Sequence, residues 1–140
     1  MDSRDKESID GLVKNLVDAW NQRDVQAISK CFTKEAKFTS ALGQVAQGPK
    51  EIGEMLVTFI TPTFEEVFLP ATKTKIQHKE FHKVAVEFTW ETIKQTSWDH
   101  NKKFLLKKGL INLAIEKEHD DWRIAFGKNV DYAAKQAQTY

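Results

Sequence analysis

The sequence predicts an α+β domain, with three N-terminal helices packed in the concave face of a curved, mainly antiparallel sheet. Together they form a cone with a pocket. Three observations predict this. Apolar residues recur at helical spacing as far as Ile60, alternation of β type takes over after Pro62, and a tight corner at residues 19–24 breaks the helical half. Helices and sheet must bury their faces on each other, and a sheet curled around only three helices leaves its open end unfilled.

Ile9, Leu12, Val13, Leu16, Val17 and Trp20 fall on one stripe, so residues 3–21 read as a helix. Asp24 is a good N-cap for a short second helix that turns Ala27, Ile28, Cys31 and Phe32 inward. Residues 36–41 read as a short strand, followed by a turn at Gly43 and a return. Pro49 suits the first turn of a third helix, and Glu51 favours its positive end. Ile52, Met55, Leu56, Phe59 and Ile60 form its buried face, and Pro62 ends it.

Residues 72–79 carry β-branched side chains in alternation. Val84, Val86, Phe88, Trp90 and Thr92 then alternate with Ala85, Glu87, Thr89 and Glu91, a strand with one apolar and one mostly polar face. A polar loop at 96–101 precedes a more uniformly apolar strand over 104–116, as expected at the centre of a sheet. His119, Asp120 and Asp121 make a turn. In the final strand Trp122, Ile124 and Phe126 alternate with Arg123, Ala125 and Gly127. Residues 133–140 are polar and expected to fray. With no linker, repeat or low-complexity tract, residues 1–140 read as a single domain.

Composition narrows the class. The 140 residues are 41% hydrophobic and include nine Phe and four Trp, enough for a core without staples. The 21 basic and 20 acidic side chains leave a net charge of +1, which argues against nucleic acid held by bulk charge. One cysteine, Cys31, excludes an intrachain disulfide framework and a multi-cysteine zinc site. The charged N-terminus has no signal core, and no apolar run reaches membrane-spanning length. The expectation is a cytoplasmic protein with no membrane and no nucleic-acid partner.

Several residues are candidates for a site. Trp20 and Trp90 are large aromatics at the ends of apolar faces, suited to a pocket wall or to the core. Asn112 interrupts the apolar 110–115 run and needs a partner if buried; Asn129 is similar, binding ligand or tying down the C-terminal turn. Asp99 and His100 are adjacent in a loop, an acid and an imidazole that fit proton transfer or a solvated turn. His78 and His82 flank a hairpin but lack a third ligand, so no metal and no cofactor are expected. Glu87 and Glu91 lie opposite the apolar face, toward solvent or a dimer partner. Lys102, Lys103, Lys107 and Lys108, with Lys94, read as a solvated basic patch. Cys31 reads as a small core residue.

Nearly the whole chain resembles the nuclear transport factor 2-like superfamily, and within it the SnoaL-like and SgcJ/EcaC-type small proteins. The resemblance rests on Ala19-Trp20-Asn21-Gln22-Arg23-Asp24, on Phe32-Thr33-Lys34-Glu35-Ala36-Lys37-Phe38 and on Leu42-Gly43. It also rests on Gly48-Pro49-Lys50-Glu51-Ile52 and Asp121-Trp122-Arg123-Ile124-Ala125-Phe126. It implies a cystatin-like cone, frequent homodimers through the sheet, and varied pocket uses. These run from ketosteroid isomerisation, polyketide cyclisation, dehydration and epoxide hydrolysis to ligand binding alone. The isomerase-like members place a carboxylate base where this chain has Ser40 and a tyrosine donor where it has Leu16. SgcJ/EcaC-like members often pair a histidine with an asparagine in the last strand. Here the pair is Lys128 and Asn129, so only the asparagine is kept. These departures speak against steroid-isomerase chemistry.

The leading expectation is therefore a homodimeric small-molecule-binding domain, with an apolar, aromatic-lined pocket for a small apolar or cyclic ligand. A second is an isomerase, cyclase or dehydratase using groups such as Ser40, His78, Asp99, His100, Asn112 or Lys128. A third is an association module that works through its sheet face.

Overall fold

The computed structural model describes residues 3–59, 66–95 and 103–131. Its first element, α1 (Ser3–Asn21), buries Ile9, Val13, Leu16, Val17 and Trp20, one stripe at helical spacing. The corner that ends it is a backbone motif. Arg23 takes φ +56°, Asp24 N donates to Ala19 O at 3.0 Å, and Arg23 N donates to Trp20 O at 2.9 Å. This paired closure satisfies carbonyls that the helix end would leave bare. Asp24 then caps α2 (Val25–Ser29), its carboxylate accepting from Ala27 N at 3.0 Å. Arg23 also donates to Val57 O at 3.2 Å, near the end of α3 (Pro49–Phe59). No helix among the described residues is long and apolar enough to cross a membrane.

The strands are β1 (Phe32–Thr39), β2 (Val45–Gln47), β3 (Glu66–Pro70), β4 (Lys75–Lys79), β5 (Lys83–Gln95), β6 (Lys103–Glu118) and β7 (Asp121–Asp131). They form one curved sheet in the order β2-β1-β7-β6-β5-β3, with β4 also on β5. All pairs are antiparallel except β1 with β7. The β6–β7 hairpin reaches back to the start of α1: Trp122 Nε1 and Lys117 Nζ donate to the Asp5 carboxylate at 3.2 and 3.4 Å.

Four details differ from the sequence reading. The first strand begins at Phe32, not at residue 36, because α2 is a single turn and Cys31 O already accepts from Ile124 N of β7 at 2.8 Å. Phe32 is thus a strand residue. The 72–79 run starts as a strand only at Lys75, after a bend. The sequence reading has no strand at Glu66–Pro70, yet β3 is there as a short edge. Finally, β7 shifts register at Ala125, between Ile124 opposite Ile115 and Phe126 opposite Ala114. The strict alternation breaks there: Phe126 turns outward, 43% exposed, while Gly127 and Asn129 turn inward. The 96–101 loop, Ile60, Pro62 and the 133–140 tail lie outside the described residues.

What holds β3 is unusual for an edge. The Asn21 side chain pairs with its backbone as another strand would: Nδ2 donates to Phe68 O at 2.7 Å, and Oδ1 accepts from Phe68 N at 2.7 Å. Trp20, one residue earlier, stacks on the Phe68 ring with centroids 4.0 Å apart. The end of α1 thus fixes both the backbone and the side chain of β3. Replacing Asn21 with Ala removes both bonds and should cost roughly 1–3 kcal/mol, read by urea unfolding. A variant as stable as the parent would mean that the docking does not matter.

Burial pushes the Cys31 thiol up from 9.0 to about 11. The folded protein therefore keeps a proton that the unfolded chain releases, so this contribution is intact below pH 9.0 and fades as pH climbs toward 11. Between those limits the parent should lose more stability than Cys31→Ala does. Equal losses would show that the thiol is not desolvated.

Candidate functional site

Inside the cone, α3, the β1–β2 turn and the inner sheet face bound a cavity of about 110 Å³. Its apolar walls are Phe38 on β1, Met55 and Leu56 on α3, and Trp90 on β5. Ser40, Ala41, Leu42 and Gln44 of the β1–β2 turn form the rim. Lys107 on β6 and Asn129 on β7 complete the lining, and Lys107 is its one charged side chain among the described residues.

Two glycines shape the floor. Gly109 on β6 stands directly opposite Trp90. A β-carbon there would lie 2.6 Å from Trp90 Cζ2 and closer still to Val130 O. Without one, the indole lies across the middle strand and reaches β7, where Nε1 donates to Asn129 Oδ1 at 2.8 Å. Gly127 plays the same part for Phe38, its neighbour in the parallel pair, whose ring covers the space a β-carbon would fill. A glycine inside a strand signals such a close approach. Behind Trp90 the rings continue: Phe68 lies 5.5 Å from it at 26°, and Trp20 stacks on the far side of Phe68.

The candidate residues fall in different places. Trp90 and Asn129 meet in the cavity, both buried and bonded to each other. Trp20 is 0% exposed and backs the cavity through Phe68 without lining it. Asn112 is half-buried on the outer face, in register between Glu87 and Lys128. Ser40 lines the rim, where its Oγ accepts from Gln44 N at 3.1 Å within the turn. Asp99 and His100 lie outside the described residues. Leu16, at the position matched to a tyrosine donor, is 1% exposed in the core. Among the described residues, no group of three or more His, Cys, Asp or Glu is placed to hold a metal.

Three contributors escaped the sequence reading. Lys107 looked like one member of a basic run, but it lines the cavity. Glu66 sits on β3, its side chain 8% exposed and Oε2 3.8 Å from Lys107 Nζ. Gly109 carried a legible signal, a lone glycine within a long apolar strand.

Residues 13–111 match the family model of the SnoaL-like domain. No match was found among the curated proteins. Aln2 from a Streptomyces species superposes with a TM-score of 0.85 at 8% identity, over 99% of this chain and 98% of that one. A protein of unknown function with a cystatin-like fold from Nostoc punctiforme gives 0.78 at 12% identity, over 94% and 93%. An NTF2-like protein with a cystatin-like fold from Novosphingobium aromaticivorans gives 0.77 at 12% identity, over 98% and 90%. At these identities the likeness is one of fold.

The Trp90 placement can be tested directly. Gly109→Ala forces the indole or β7 to move and should destabilise the protein by roughly 1–3 kcal/mol. Trp90→Phe keeps the ring stack but leaves the buried Asn129 Oδ1 without its donor, at a similar cost of about 1–3 kcal/mol. Parent-like urea midpoints for both would show that the ring is not held against the strand.

Proposed function

The chain belongs to the SnoaL-like domain family, and from that premise we propose that it is a cytoplasmic homodimer whose cavity binds a small apolar ring. The observation that carries the reading is the cavity itself, floored by Trp90 and walled by Phe38, Met55 and Leu56. Ligand sites are concave and mostly apolar, with few polar groups. A cavity of about 110 Å³ suits a ligand of one ring; engineered apolar cavities of about 150 Å³ accept benzene. Binding is favoured over turnover because Ser40, the one candidate for turnover among the described residues that lines the cavity, has its Oγ engaged by Gln44 N within the turn. The lone buried Cys31 suits a reducing compartment.

Toluene should raise the melting temperature of the parent protein, with about 2.7 kcal/mol of stabilisation at a hundredfold excess over Kd. Met55→Trp, which fills the cavity from its α3 side, should abolish the shift. A parent that ignores toluene, with control proteins responding, would sink the reading.

The homodimer rests on the outer sheet face. One row crosses it: Lys75, Glu87, Asn112, Lys128 and Thr39 are successive register partners on β4, β5, β6, β7 and β1. Flanking rows are more apolar, Ala85-Ala114-Phe126 on one side and Thr89-Leu110-Val130 on the other. A two-fold axis along β6 through Asn112 sets Glu87 of each copy opposite Lys128 of the other. Self-complementarity of this kind is what a symmetric interface requires. The parent should sediment as a dimer at micromolar concentration, Lys128→Glu as a monomer, and the swap Glu87→Lys with Lys128→Glu as a dimer again. A monomeric parent would end the proposal.

A further inference from the structure

The lining of the cavity is graded in exposure. Phe38, Leu56 and Trp90 are fully buried and Met55 nearly so, which seals the floor and the α3 wall. Ser40 and Ala41 are half-buried, and Leu42, which also lines the cavity, is 79% exposed. The mouth therefore opens at the β1–β2 turn, and Leu42 stands on its lip. A single leucine on a surface is ordinary. This one is at a turn tip, where polar residues and glycine are the usual choice, and it is held in place. Ser40 N donates to Gln44 O at 2.8 Å, Gly43 N to Ser40 O at 3.0 Å, and Gln44 N to Ser40 Oγ at 3.1 Å. Gly43 supplies the positive φ, +83°, that closes the loop. A rigid turn thus presents an apolar side chain at the one place where a ligand would leave the cavity. The enclosed volume of about 110 Å³ is filled by one ring, since about 150 Å³ accommodates benzene. Anything larger must extend through the mouth.

We propose that the cavity takes the ring end of an elongated, neutral ligand, a ring bearing an unbranched aliphatic chain, and that Leu42 is the specificity-determining residue that receives the chain. The inference rests on the cavity-binding reading above and adds the shape of the ligand. The ring fills the space over Trp90, and the chain passes the half-buried Ser40 and Ala41 and lies against Leu42. That contact removes apolar surface of both partners from water, which explains why a leucine stands on the lip. The far end of the chain stays in solvent, so a polar group there keeps its hydration. Chain length, more than ring chemistry, is then what the lip reads.

The test is isothermal titration of the full chain with phenethyl alcohol and phenylpentanol, which differ by three methylenes, with toluene as the control for the pocket. Phenylpentanol should bind about tenfold tighter than phenethyl alcohol, as expected for three methylenes each half covered. Leu42→Ser, a change at a largely exposed position, should cut that ratio to about twofold. In the parent, phenylpentanol should also shift the Leu42 methyl resonances. Toluene binding without any gain from the longer chain would overturn the extension and leave the pocket standing. A gain that survives Leu42→Ser, or Leu42 methyls that do not respond, would overturn the assignment to Leu42. No binding of any of the three probes would overturn the pocket reading, and this inference with it. The methyl resonances of the parent decide even where the variant fails to fold.

Discussion

The Trp90 indole lies flat across β6 because Gly109 has no side chain, and much of the interior is built on that crossing. The ring joins four elements in one line: Trp20 of α1 stacks on Phe68 of β3, Phe68 packs on Trp90 of β5, and Trp90 bonds to Asn129 of β7. Each ring pair adds about 0.5–1.5 kcal/mol beyond the area it buries. The hydrogen bond satisfies an asparagine that is 4% exposed and would otherwise be costly to bury. The same ring floors the cavity, so stability and pocket shape are set by one side chain.

That dependence explains how the edge of the sheet is treated. β3 is only five residues long, and its outer side faces no further strand among the described residues. An exposed edge of this kind invites pairing with another chain. Asn21 occupies the Phe68 backbone groups, and the Trp20 ring holds the Phe68 side chain. Both come from adjacent residues at the end of α1, where the left-handed Arg23 stops the helix and turns the chain into α2. The corner and the edge strand are therefore one device. If the corner moved, Phe68 would move with it, and Trp90 would lose its backing.

Long periodic segments were legible because a single period decides them. The α1 stripe, the α3 face and the β5 alternation each repeat often enough to exclude other readings. Local chemistry was legible where one residue suffices, as with Asp24 at the start of α2 and Pro49 at the start of α3. β3 was not, because five residues ending in proline carry too little pattern, and a side chain 47 residues away fixes the strand. Asn129 was named, but its inward direction depends on the register shift at Ala125, which alternation alone does not reveal. Lys107 was hidden in a run of lysines, and what separates it from Lys108 is its alternation with the buried Gly109 and Ile111 on the inner face of β6.

The placement of polar groups separates this cavity from that of the isomerase-like members of the superfamily its sequence resembles. In that pattern the donor comes from the first helix and the base from the end of the first strand. Here the first position is Leu16, sealed in the core, and the second is Ser40, whose hydroxyl supports the β1–β2 turn. Neither wall offers an acid or a base. The one charged side chain lining the cavity among the described residues is instead Lys107 on β6, 3.8 Å from Glu66 on β3. The Lys107 side chain stays 30% exposed and so remains partly solvated, whereas the Glu66 side chain, at 8%, relies on the pair to offset part of its desolvation. The steroid-isomerase arrangement therefore has no counterpart at the two positions where it would place its donor and its base.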